Sequence, residues 1–176
     1  KKEMMDCTDW MIDQGLYEDN ELHPKYQTHM MLFRDDAPSI WKKLREEFYQ
    51  ACRNYLDTVD NFCANQNALE FTGSSAWAVK RWESLNKTQI LPWHDHNPSF
   101  LSGVYYLHDP GDGTGGGTEF HDPRTSPTHG TRMQEILPIE NTWIIFPGWF
   151  AHRSRPLPLE EPRYVVSGNA YVRVKN

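Results

Sequence analysis

The chain has 176 residues, enough for one domain with a buried core, and its formal charge of -6 comes from acidic and basic residues mixed along its length. Without a basic stripe, nucleic acid and anionic membrane surfaces are excluded as partners, which leaves a small molecule or a peptide as the expected substrate. Cys7, Cys52 and Cys63 lack CxxC spacing, no apolar run approaches the ~18 residues that cross a bilayer, and the N-terminus has no signal-peptide core, so a reducing, cytoplasmic setting is expected.

In chain order, residues 1–25 are polar and mixed in sign, with Gly15 and Pro24, and read as an irregular arm holding one helical turn at most. Gln27 to Arg34, dense in Met30, Met31, Leu32 and Phe33 and bounded by turn formers, reads as a strand. From Asp36, an expected cap, and Pro38, suited to a first turn, the apolar residues Ile40, Trp41, Leu44, Phe48, Ala51, Cys52, Tyr55 and Leu56 recur at helical spacing. The opposite face carries Lys42, Lys43, Arg45, Glu46, Glu47 and Arg53, so this long helix is expected to lie outside a sheet with that face in solvent. Asn61 to Asn67 reads as a loop.

Seven short runs rich in β-branched and aromatic residues follow: 76–85, 88–96, 101–107, 118–121, 132–139, 142–146 and 163–174. Turn residues separate them, including Pro98, the 111–117 glycine tract and Pro147 with Gly148. The tract lacks the Lys-Ser/Thr pair and the helix of a phosphate loop, so it reads as a hairpin connection, and residues 153–162 read as a long exposed loop. Strands at this spacing after one helix predict a mainly β fold, a double-sheet jelly roll or barrel with the helix as buttress. A single domain is expected, with 1–70 as arm, strand and supporting helix and 71–176 as the β core.

His94 and His96 are two residues apart beside a strand-like run, and alternation puts their side chains on one side. His152, behind the run Trp143 to Phe146, can supply a third ligand, and Arg163 offers a cationic anchor. Three imidazoles suit Fe, Zn, Ni or Cu and leave coordination positions open to substrate, the mark of a catalytic site. The remaining histidines, His23, His29, His108, His121 and His129, are not assigned to the metal. Glu119 and His121 share a face of the next short strand and Arg124 follows, a candidate substrate-contact group. Trp143, Phe146 and Trp149 are expected to fill the barrel and its rim.

His94-x-His96, Asn97-Pro98, the run Gly103 to Leu107, Gly116 to Phe120, Phe146-Pro with His152, and Arg163 together resemble the 2-oxoglutarate and Fe(II)-dependent dioxygenases, prolyl-hydroxylase-like branch, over about residues 76 to 174. The resemblance implies a double-stranded β-helix, also called a cupin-like barrel, holding Fe(II) at its open end. It implies His94 and His152 as the first and distal iron ligands, Arg163 pairing bidentately with the far carboxylate of 2-oxoglutarate, and Tyr106 donating its hydroxyl there. With O2, such an enzyme couples decarboxylation of 2-oxoglutarate to succinate and CO2 with hydroxylation of a C–H bond. No catalytic residue beyond the metal ligands is implied. Where the superfamily places Asp or Glu two residues after the first histidine, this chain has His96. Strand alternation favours His96 over Asp95, which is the substitute if the backbone there is irregular. The alternatives are a cupin-like metalloenzyme with a three-histidine site, although no glutamate follows the pair closely, and a non-catalytic jelly-roll module that binds a ligand.

Overall fold

The computed structural model describes residues 1–18, 26–59, 69–81, 92–122, 133–155 and 161–175. Among them are two helices, α1 (Lys2–Asp13) and α2 (Ser39–Thr58), and nine strands: β1 (Tyr17–Glu18), β2 (Gln27–Thr28), β3 (Leu69–Arg81), β4 (Leu101–His108), β5 (Thr118–His121), β6 (Met133–Ile136), β7 (Trp143–Pro147), β8 (His152–Ser154) and β9 (Arg163–Val174). They form a six-stranded sheet in the order β1-β2-β3-β9-β4-β7 and a three-stranded sheet in the order β6-β5-β8, with every pairing antiparallel. No described helix is long and apolar enough to cross a membrane.

The large sheet divides the molecule, and the period-two alternation of its strands decides what each side receives. On β9, Tyr164, Val166 and Ala170 join the core under the helices, whereas Arg163, Val165, Ser167 and Asn169 line a cavity on the other side. On β4, Leu101, Tyr105 and Leu107 face the helices, and Val104 and Tyr106 face the cavity. β3 repeats the division with Ala76 and Ala78 against Trp77 and Val79.

α2 covers the helix side with Trp41, Leu44, Phe48, Cys52 and Leu56, all buried at intervals of three and four residues. Phe48 settles onto Gly103 and Gly168, which are cross-strand partners. A Cβ on either glycine would stand 3.1 Å or 3.3 Å from the Phe48 ring, so the absent side chains let the aromatic approach the sheet. Trp143 packs on the same ring at 4.8 Å between centroids.

Several sequence expectations are corrected. The N-terminal arm contains a full helix, α1, because Met4, Thr8 and Met11 recur on one face and bury there. Asp9 anchors it, accepting from Lys80 Nζ at 2.7 Å and from the Tyr164 hydroxyl at 2.9 Å. Asp36 does not cap α2: Pro38 is the N-cap residue and Asp36 pairs with Arg34. Strand pairing in the 27–34 run stops after Thr28, because the chain then turns to insert Leu32 and Phe33 into the core. β3 begins seven residues earlier than expected, at Leu69, with an irregularity between Phe71 and Gly73. β8 occupies what was read as the start of a loop.

The 88–96 run is not a strand over residues 92–96; its sole ladder contact there is the isolated bridge of His94 with His152. Pro92 has no N–H to give a ladder, and Pro98 follows closely. Arg124, Cys63, His23, His129, the 61–67 loop and residues 88–91 lie outside the described residues.

Candidate metal centre

His94 and His152 exchange backbone hydrogen bonds in both directions, His94 N to His152 O at 3.1 Å and His152 N to His94 O at 3.0 Å. This fixes one histidine from the irregular 92–100 segment against one from β8. His96 is held separately, by its N–H on Gly148 O at 2.7 Å. Gly148 is glycine for a steric reason, since a Cβ there would stand 2.1 Å from the Ser99 carbonyl oxygen.

The three rings converge, with centroids 5.3 Å apart for His94 and His96, 4.4 Å for His94 and His152, and 4.9 Å for His96 and His152. One nitrogen from each lies within 4.8 Å of the others, and among the described residues no carboxylate or thiol joins the group.

The proton positions follow from the partners. His94 Nδ1 is 3.0 Å from Pro92 O, His96 Nδ1 is 2.7 Å from Asn169 Oδ1, and His152 Nδ1 is 2.9 Å from Phe150 O. A carbonyl oxygen can only accept, so each Nδ1 carries the proton and each Nε2 the lone pair, the tautomer that offers Nε2 to a metal. Burial, reinforced by the neighbouring His94, pushes His152 down to about 3, and burial also lowers His96 against the hydrogen bond to Asn169 that favours its cation. These two imidazoles are neutral at pH 7. The donor set therefore fits a divalent transition metal.

Asn169 is a support that sequence reading missed. Its Oδ1 also accepts from the Ser102 hydroxyl at 2.8 Å, Ser102 contacts Ser99 Oγ at 3.0 Å, and Ser99 Oγ donates to His96 O at 2.7 Å, closing a buried loop around His96. The period-two face of β9 that holds Arg163 reaches Asn169, so the signal was present in the sequence. Asp95 is exposed at the edge of the cavity, its carboxylate accepts from the Asn97 N–H at 3.1 Å, and it is not one of the three converging ligand groups.

The cavity beside the histidines holds about 550 Å³ and is also lined by Tyr106, Thr118, Arg163, Trp77 and Val165. Arg163 is 4% exposed. Its Nε donates to Asp109 Oδ1 at 2.7 Å and its Nη1 to Gly116 O, while Nη2 sits beside Asp109 without a hydrogen bond of its own. The expected bidentate fork is thus largely occupied by the protein, with Nη2 buried beside Asp109 Oδ1 at 2.5 Å. Tyr106 Oη lies 2.8 Å from Thr118 Oγ1, and burial raises the Tyr106 pKa, which keeps the phenol a donor.

Glu119 and His121 do not line the cavity. Glu119 accepts from Arg153 Nε at 2.7 Å, and His121 packs edge-on against Trp93. Strand alternation turns them outward, because their neighbours Thr118 and Phe120 take the inner face. Phe146 is buried on the cavity side of the sheet, Trp143 packs instead against Phe48 on the helix side, and Trp149 is 52% exposed.

The family model described as "Putative 2OG-Fe(II) oxygenase" matches residues 75–169. Among solved structures, a prolyl hydroxylase from Trichoplax adhaerens, in complex with a hypoxia inducible factor oxygen degradation domain peptide fragment, aligns at a TM-score of 0.62 and 14% identity over 97% of this chain and 77% of that one. A prolyl 4-hydroxylase from Phytophthora capsici aligns at 0.60 and 17% identity over 96% of this chain and 53% of its own length. One from Pseudomonas putida aligns at 0.58 and 13% identity over 99% and 85%. No curated protein matches by sequence.

Proposed function

The chain belongs to the family of 2-oxoglutarate and Fe(II)-dependent oxygenases and has the prolyl-hydroxylase-like fold, and from that membership we propose that it hydroxylates a C–H bond in a peptide or small-molecule substrate. The cofactors of the family are Fe(II), 2-oxoglutarate and O2. When bound, they supply the oxidising chemistry, in which 2-oxoglutarate, O2 and substrate become succinate, CO2 and hydroxylated product. The observation that carries the proposal is the convergence of three Nδ1-protonated histidines on a cavity that also contains a buried arginine.

His94, His96 and His152 would hold the iron through Nε2, with Asp95 left as a surface turn residue. Arg163 Nη2 and the Tyr106 hydroxyl would receive the far carboxylate of 2-oxoglutarate, supported by their place on one cavity wall. Thr118, hydrogen-bonded to Tyr106, fixes the phenol's direction. Trp77, Val79, Val104 and Val165 give that wall an apolar lining that limits water near the reacting atoms. In this reading 71–176 is the double-stranded β-helix core and 1–70 its support, within one domain. Three neutral imidazoles leave Fe(II) its full double charge, which dianionic 2-oxoglutarate offsets on binding. The candidate substrates are a peptidyl proline, an amino acid or another small molecule; the Trichoplax structure was solved with a peptide.

The test is succinate formation by the Fe(II)-loaded chain supplied with 2-oxoglutarate and O2. We expect turnover in the wild type and its loss in His152→Ala. A folded, iron-loaded wild type that forms no succinate, alone or with candidate peptides, would contradict the proposal.

A further inference from the structure

The segment bearing His94 and His96 is not part of a strand, yet two of three metal ligands depend on its position. Two backbone hydrogen bonds join it to β8, and side chains on the reverse face add to that hold. In an antiparallel bridge between His94 and His152, the next residues outward, Trp93 and Arg153, stand opposite each other with their side chains on the reverse face. The Arg153 guanidinium carbon lies 4.5 Å from the Trp93 ring centroid. Arg153 Nε donates to Glu119 Oε2 at 2.7 Å, Arg153 and Glu119 are register partners, and the Glu119 side chain is 8% exposed. On another side of Trp93, the His121 ring meets it edge-on at 5.7 Å, and His121 N is bonded to Ala151 O. None of these four residues lines the cavity.

We propose that Trp93, Arg153 and Glu119 form a clasp on the back of the metal centre, positioning His94 against His152 and so setting metal affinity. The inference rests on the three-histidine reading of the centre. The buried Glu119 carboxylate fixes the Arg153 fork. The planar cation in turn holds the indole by stacking, in a way a lysine ammonium does not reproduce. Because Trp93 is joined directly to His94 and Arg153 to His152, a slip of the stack displaces both ligands. The clasp residues touch neither metal nor substrate; they are positioning residues.

The experiment uses Co(II) as probe, titrated into the metal-free full-length chain and followed by visible d–d absorption, with a chelator competition for affinity. Trp93→Ala and Arg153→Gln should each weaken Co(II) binding about tenfold or more, the size typical when the partner that orients a metal ligand is removed. Trp93→Phe, which keeps a ring under the guanidinium, should stay within about threefold of wild type on the same scale. A purely stabilising role would lower the melting temperature of the metal-free chain and leave affinity and spectrum unchanged, and that result would overturn the clasp. Arg153 is partly exposed, so Arg153→Gln decides the matter even where Trp93→Ala does not fold. Absence of Co(II) binding by the wild type would overturn the three-histidine centre and the clasp with it; wild-type binding with unaltered variants overturns the clasp alone.

Discussion

Arg163 shows how one side chain's partners decide its role. The guanidinium is buried and charged, and a buried charge needs compensation, which Asp109 supplies. That compensation holds Nη2 beside Asp109 Oδ1 without hydrogen-bond geometry, and in the proposed site this nitrogen would turn to make one charge-assisted bond to a carboxylate. Arg163→Ala should therefore weaken 2-oxoglutarate binding at least about tenfold, as expected for losing a hydrogen bond to a charged group, with metal affinity nearly unchanged. Calorimetric titration of 2-oxoglutarate into the metal-loaded variant measures this, and an unaltered affinity would remove Arg163 from the site. At the metal, His96→Ala should lose most bound metal and Asp95→Ala should keep it, because the converging nitrogens are those of His94, His96 and His152 and no Asp95 oxygen joins them. Metal analysis of the two folded variants distinguishes them; the reverse pattern would make Asp95 the ligand.

His152 carries a pH signature at the same scale. Its folded value is near 3 against an ordinary 6.5, so between those limits the unfolded chain binds a proton that the native chain does not. Stability of the metal-free protein should then fall as pH drops below about 6.5 and stop falling from this source near 3. Denaturant melts across that window should show the loss, with a flatter profile for His152→Gln. An identical profile in the variant would mean His152 titrates normally.

Among the elements, α2 works as a lid on the large sheet and contributes nothing to the cavity lining. Leu44 and Phe48 are fully buried, so Leu44→Ala or Phe48→Ala should cost roughly 2 to 5 kcal/mol by denaturant unfolding. Metal affinity of the folded fraction should be normal, and selective metal loss from a stable variant would contradict a purely supporting helix. This helix and most long strands were legible because their periodicities are strong: 3.6 along 39–58, two along 163–174. β8 and α1 were missed for a physical reason. A three-residue strand has no period to detect, and α1 buries too few residues for its pattern to stand out in a polar sequence.

Across the whole molecule, the fold gathers residues that are far apart in sequence: His94 and His96 from a loop, His152 from the small sheet, Tyr106 and Arg163 from the large one. The identities of these residues were readable, since His-x-His spacing and the terminal arginine are sequence features. What supports them was less so: Asn169 shares the period-two face of Arg163, but its contact with His96, like those of Asp109 with Arg163 and of Arg153 with Trp93, is made only by the closed sheets. The Glu119 and His121 expectation failed on the same ground: a period-two face is visible in sequence, but which face looks inward is set by the opposing sheet.

We propose that three histidines without a carboxylate hold Fe(II) so that 2-oxoglutarate binds beside it. Anaerobic titration of the wild-type chain with Fe(II) and then 2-oxoglutarate tests this most directly. We expect a weak visible charge-transfer band that appears only when both are present and saturates at one equivalent of iron. No band at saturating iron and 2-oxoglutarate, or a band that survives His96→Ala unchanged, would contradict it.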